Sequence, residues 1–177
     1  MLYVFCLVFV LVTNIDLIEP STTTCCKDGW LAYKGSCYMF YDENKVDWME
    51  AVRYCKLHGS EIVVIESRLE NIFLKYYARK LFNGKLTKNT TLFWLGASDS
   101  DIEGIWKWIV TDEELTYFDP NFMGDKTPDN HKDCLAMPGS YDFDWRDVPC
   151  TERLGYAICE IRASTDNNGT QIQIVGR

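Results

Sequence analysis

LFWLGASDSDIEGIWKW, residues 92–108, is the stretch whose reading decides the fold. Leu92-Phe93-Trp94-Leu95 and Ile105-Trp106-Lys107-Trp108 are short runs rich in large apolar and aromatic side chains. Both read as short strands rather than helices. Trp94 and Leu95 read first as core residues. Tyr156-Ala157-Ile158-Cys159 is a third run of the same kind.

Upstream the period changes to that of helices. Asp47 and Glu50 form a capping pair, and Ala51, Val52, Tyr54, Cys55 and Leu57 recur at helical spacing until Gly59. Ser67 and Glu70 repeat the capping pattern ahead of a second helix, whose stripe is Ile72, Phe73, Tyr76, Tyr77 and Leu81, before Asn83-Gly84. Glu61 to Ile65 reads as a strand between the two helices. From Tyr117 to Trp145 no period survives, and the stretch is rich in Asp, Asn, Pro and Gly. An ordered loop of that length is functional or pinned by cross-links, and Cys134 and Cys150 are placed to pin its second half. The pattern is that of an α+β domain, two helices with small antiparallel sheets and a long irregular loop. Residues 161–177 form a polar tail, expected to be flexible.

With 177 residues and 14% aromatic side chains, one domain with a substantial core is expected. The formal charge of −8 argues against nucleic acid or an anionic membrane as partner. Residues 1–12 are apolar throughout, too short to span a bilayer but of signal-peptide length. A signal peptide is expected within residues 1–24, cleaved between 13 and 24. No second apolar run follows, so the product is expected to be secreted and extracellular, without a membrane span. Eight cysteines suit that compartment. Zinc is the competing reading, but there is no Cys-x-x-Cys pair and the two histidines are His58 and His131. Cys6 lies in the leader, which leaves an odd number in the mature chain. An enzyme is not expected, because Gly-x-Ser-x-Gly, His-Glu-x-x-His and a phosphate-cradling glycine loop are all missing. His58, just before Gly59, reads as a cation capping the first helix, and His131 has no evident nucleophile beside it. Asn89 and Asn168 begin N-glycosylation sequons.

Several motifs in order resemble the C-type lectin-like family across residues 26–160. Cys26-x-x-x-Trp30 followed by Cys37 is similar to its opening hairpin, and Trp48-x-x-Ala51 before Cys55 to its first helix. Phe93-Trp94-Leu95-Gly96 stands where the family's WIGL core motif stands, followed by Glu103-Gly104-x-Trp106-x-Trp108. Trp145-x-Asp147-x-Pro149-Cys150 looks like the strand after the long loop. The resemblance implies disulfides Cys26–Cys37, Cys55–Cys159 and Cys134–Cys150, and a secreted single-domain lectin similar to the perlucin-like members of molluscs. Cys25 is then left over. It is expected either to link two chains as a homodimer or to carry a small-thiol cap, exchanging with Cys26 for Cys37.

In sugar-binding members a calcium ion sits in a ring of side-chain oxygens and coordinates the sugar directly. Calcium needs about six to eight oxygen ligands with negative charge among them. Carried onto this chain, the ring reads Thr127, Asp129, Lys132, Arg146 and Asp147. Lys132 and Arg146 offer no acceptor and add positive charge, so the primary site reads as degraded. Lys132 and Arg146 either pair with Asp129 and Asp147 or point into water. The auxiliary set is Asp99, Glu103, Asn130 and Asp133, all oxygen-bearing, and calcium is to be sought there alone. The resemblance implies a recognition module that binds a glycan or glycoprotein through the long-loop face, with Thr127, Asp129, Asn130, His131, Arg146 and Asp147 as contact residues. The alternatives are a calcium-independent protein-binding module, or an acidic extracellular matrix protein touching mineral. Against the last stands the lack of any Asp or Glu run.

Overall fold

The computed structural model describes residues 26–85, 91–122, 131–152 and 154–162, with the backbone alone over 82–85. A hairpin opens it: β1 (Leu31–Tyr33) and β2 (Ser36–Phe40) are joined through Lys34 and Gly35. Both turn residues have positive φ, 45° and 87°, which suits a tight two-residue turn and explains the glycine. Helix α1 (Trp48–Leu57) starts on the expected capping box, with the Asp47 carboxylate accepting from the Glu50 amide at 2.8 Å. It ends at His58, whose Nδ1 lies 2.8 Å from the Tyr54 carbonyl. After β3 (Glu61–Ile62), helix α2 runs from Arg68 to Lys85. It continues through Asn83-Gly84, where the sequence signalled a stop. A glycine weakens a helix by about 1 kcal/mol but does not forbid it.

Strand β4 (Leu92–Ser98) grows from the Leu92–Leu95 run and is buried along its whole length. Its side chains divide with a period of two: Phe93, Leu95 and Ala97 enter one core cluster, Leu92 and Trp94 the other. Both indoles near it are satisfied, Trp94 donating to the Val46 carbonyl at 2.9 Å and Trp48 to that of Leu95 at 2.8 Å. Gly96 is required by packing, since a Cβ there would lie 2.8 Å from both Ile62 Cγ2 and the Val63 carbonyl. Strands β5 (Lys107–Trp108) and β6 (Glu113–Glu114) follow, then β7 (Cys134–Pro138), a 3₁₀ turn over Gly139–Tyr141, β8 (Arg146–Val148) and β9 (Tyr156–Arg162). β7 falls in the stretch where no period was legible. All five of its residues are buried, so no alternation exists to be read.

The strands connect as β1-β2-β9-β4-β5-β6, with β3 on β9 and the β7–β8 pair branching from β4. β4 and β9 run parallel and the other pairs are antiparallel. Three disulfides staple this arrangement: Cys26–Cys37, Cys55–Cys159 and Cys134–Cys150. Cys55–Cys159 joins α1 to β9 across 104 residues. The chain-entropy account gives such a loop roughly 4.7 kcal/mol. Cys134–Cys150 closes the end of the long loop, as its position suggested. Residues 1–25, with Cys25, and 163–177, with Asn168, lie outside the described residues, as do Asn89, Thr127, Asp129 and Asn130.

Candidate binding face

The long loop is anchored from beneath by a polar cluster on α2. Lys75, only 8% exposed, donates to Asp119 at 3.0 Å and to Asp144. Asp119 lies in the first half of the loop and Asp144 just ahead of β8, so one ammonium joins both ends. Asn71, one turn earlier on α2, donates to Asp119 at 2.6 Å and to the Tyr117 hydroxyl at 3.1 Å, and accepts from the Trp145 indole at 2.9 Å. Asp119 accepts in addition from the Asn121 amide at 2.8 Å. The Trp145 ring is wedged between Trp108 and Tyr117, both edge-on at 6.1 and 5.5 Å. Nothing in the motif reading singled out Lys75. The available signal was a lysine flanked by Leu74 and Ala78 on the face that α2 buries, four residues after Asn71.

Arg146 opens β8 above this cluster. Its Nη1 donates to the Asn121 carbonyl at 2.8 Å and to the Trp145 carbonyl at 2.6 Å. Its guanidinium lies over the Tyr141 ring, 4.4 Å from the centroid. Tyr141 is 52% exposed, and Asp142 next to it pairs with Arg79 at 2.8 Å. Asp147 and Lys132 are half-buried, His131 is exposed, and all three make contacts within the protein. The expected pairing of Arg146 or Lys132 with Asp129 lies outside the described residues. Among the described residues, the Arg146 guanidinium is held by two carbonyls and an aromatic ring. A donor-only cation bonded to carbonyl oxygens does not fit a calcium ring.

The auxiliary set behaves differently. Asp99 follows the end of β4 at 4% exposure, its amide donating to the Asp133 carbonyl at 3.3 Å. Its Oδ2 accepts from the Gly104 amide at 2.9 Å. Its Oδ1 is buried and has no hydrogen-bond partner among the described residues. Burial pushes the Asp99 carboxyl above its ordinary range, the charges of Glu103 and Asp133 add to that, and the Gly104 amide opposes it. An orphaned buried oxygen beside two further carboxylates fits a bound cation. Among the described residues, however, no group of three His, Cys, Asp or Glu is assembled around one point.

A second polar cleft, of about 300 Å³, lies between β2, the start of α2 and the end of β9. Tyr38 donates to Glu70 at 2.6 Å, and Glu160 accepts from Ser36 at 2.8 Å and from Arg162 at 3.1 Å. The Glu66 amide donates to the other Glu70 oxygen at 3.0 Å, so this capping residue is turned inward. Burial raises the Glu70 carboxyl, while the Tyr38 hydroxyl and Glu66 amide pull it back. Burial also lowers the Arg162 guanidinium, but Glu160 outweighs it and the net shift is upward.

The hairpin, two helices, stapled strands and long loop are shared with a known family. The family model for the C-type lectin domain matches residues 44–161, and the chain belongs to that family. Relatives include a perlucin-like protein of Mytilus galloprovincialis, 29% identical over 76% of this chain and 81% of its own length. Human asialoglycoprotein receptor 2 is 36% identical over 80% of this chain, which spans 42% of that receptor. Among solved structures, the cow C-type carbohydrate-recognition domain of CD23, determined with a GlcNAc2Man3 oligosaccharide, has a TM-score of 0.63 at 26% identity, covering 80% of this chain and 99% of that domain. A calcium-independent type II antifreeze protein shares the fold, with a TM-score of 0.64 at 20% identity over 81% and 99% of the two chains.

Proposed function

We propose that this is a secreted C-type lectin-like recognition protein that binds a glycan or glycoprotein through the long-loop face without calcium at the primary site. The observation that carries this reading is Arg146. It stands where the sugar-binding members present a metal ligand, and it is held there by the Asn121 and Trp145 carbonyls and the Tyr141 ring. The proposed contact residues are Thr127, Asp129, Asn130, His131, Arg146 and Asp147, of which His131, Arg146 and Asp147 fall among the described residues. The reading is non-catalytic: the face presents donors, acceptors and an aromatic ring to a ligand and moves no covalent bond. Calcium, where the protein uses it, is held by Asp99, Glu103, Asp133 and Asn130 and neutralises the crowded carboxylates there. The orphaned Asp99 Oδ1 supports that placement.

The rest of the proposal concerns the assembled protein. A signal peptide within residues 1–24 directs secretion, residues 26–160 form the domain and residues 161–177 a polar tail. Asn89 and Asn168 carry N-glycans, and Cys25 links two chains so that two weak sites act together on a repeated ligand. No helix among the described residues is long and apolar enough to cross a membrane. Non-reducing gel electrophoresis of the secreted protein tests the link: a band of twice the monomer mass, lost in Cys25→Ser, is expected. A monomer band unchanged by that substitution contradicts it. Retention on a mixed sugar resin, with and without chelator, tests the binding itself. Retention that persists in chelator supports calcium-independent sugar recognition. No retention in either condition favours the second reading, a protein-binding module of the same fold.

A further inference from the structure

We propose that Arg146 is an oxyanion receptor, so that the long-loop face selects sugars carrying a single carboxylate or sulfate group. The inference rests on the reading above that this face binds saccharide, and it names the class of saccharide. Both bonds to Nη1 hold the guanidinium from one corner, at 2.8 and 2.6 Å. Among the described residues nothing accepts from the opposite edge, formed by Nε and Nη2. That edge presents two parallel N–H groups, which match the two oxygens of a carboxylate or sulfate. The Tyr141 ring covers one face of the group at 4.4 Å, so little freedom remains to be lost when a ligand docks.

Among the described residues, the carboxylates nearby are already engaged. Asp142 is paired with Arg79, and Asp119 and Asp144 with Lys75. Asp147, the next residue, is engaged within the protein. The whole-molecule charge of −8 sets the other limit. A long polyanion is repelled by such a surface, whereas a terminal sugar with one oxyanion meets mainly the local cation. The structure therefore favours a glycan ending in one acidic sugar over a heparin-like chain.

The test uses the secreted, disulfide-intact protein in EDTA, titrated with lactose, sialyllactose, sulfated lactose and heparin. A charge-assisted bidentate contact is expected to make the two acidic lactoses bind roughly tenfold or more tighter than lactose. Added salt should narrow that gap, and heparin should gain nothing beyond it. Arg146→Gln should abolish the preference, and Arg146→Lys, which keeps charge without the fork, should keep only part of it. If Arg146→Gln fails to fold, Tyr141→Ala at an exposed position serves instead and should weaken the preference by loosening the guanidinium. Equal binding of lactose and its acidic forms overturns the inference, as does an acidic preference that survives Arg146→Gln. A preference that appears only in Asp129→Asn also overturns it, by showing that Asp129 fills the fork. Should none of these saccharides bind, the saccharide reading of the face falls as well, whereas tight binding of lactose alone removes only the oxyanion claim.

Discussion

Lys75 holds two carboxylates of the long loop in a place with little water. Removing one partner of a buried ion pair strands the other's charge and typically costs about 3–5 kcal/mol. Lys75→Met, which keeps the apolar stem, should therefore lower stability by that order in urea unfolding. A loss below about 1 kcal/mol would show that the loop does not depend on this ammonium. Glu70 offers a second test at a single side chain. Burial raises its carboxyl above the ordinary 4.5, so folding favours the protonated form. Such a group contributes fully below its unfolded value and loses that contribution as pH rises through the folded one. Wild type should gain midpoint relative to Glu70→Gln as pH falls from neutrality toward the raised value. A difference that does not change with pH contradicts the assignment.

At the scale of elements, β4 shows why a short motif was so informative. Its run of large side chains needs burial on both faces, and Gly96 is the point where the β3 backbone approaches too closely for a Cβ. Gly96→Ala should cost roughly 1–3 kcal/mol through overpacking, read as a lower melting midpoint with the fold retained. A neutral outcome would mean that Ile62 and Val63 yield easily. Both helices, the capping box of α1 and four of the strands were legible because each leaves a local signature, and the three cysteine pairs followed from the family resemblance. β7 was not legible, since a strand buried on both faces shows no alternation and lies amid loop-like composition. The Lys75 cluster was also missed. Its parts come from α2, the long loop and the approach to β8, and periodicity within one segment does not register such meetings. Arg146 was singled out by the family resemblance, but its partners Asn121 and Tyr141 were not, because they are set by the course of the loop.

The whole molecule carries an acidic charge, three disulfides and a loop fastened by its own cations, Lys75 below and Arg146 above. Among the described residues, both ends of that loop are held by contacts within the protein. Calcium at a hundredfold over its dissociation constant would add about 2.7 kcal/mol to a domain that binds it. The expectation here is no midpoint shift that depends on Asp147, and at most a smaller one lost in Asp99→Asn. A calcium-induced rise abolished by Asp147→Asn would restore the primary site. The most direct test of calcium-independent recognition is a glycan array of the secreted protein, probed in millimolar calcium and again in EDTA. The account predicts the same set of bound glycans in both conditions, with the signals lost in Arg146→Gln. Binding that is present in calcium, absent in EDTA and indifferent to Arg146→Gln would contradict it.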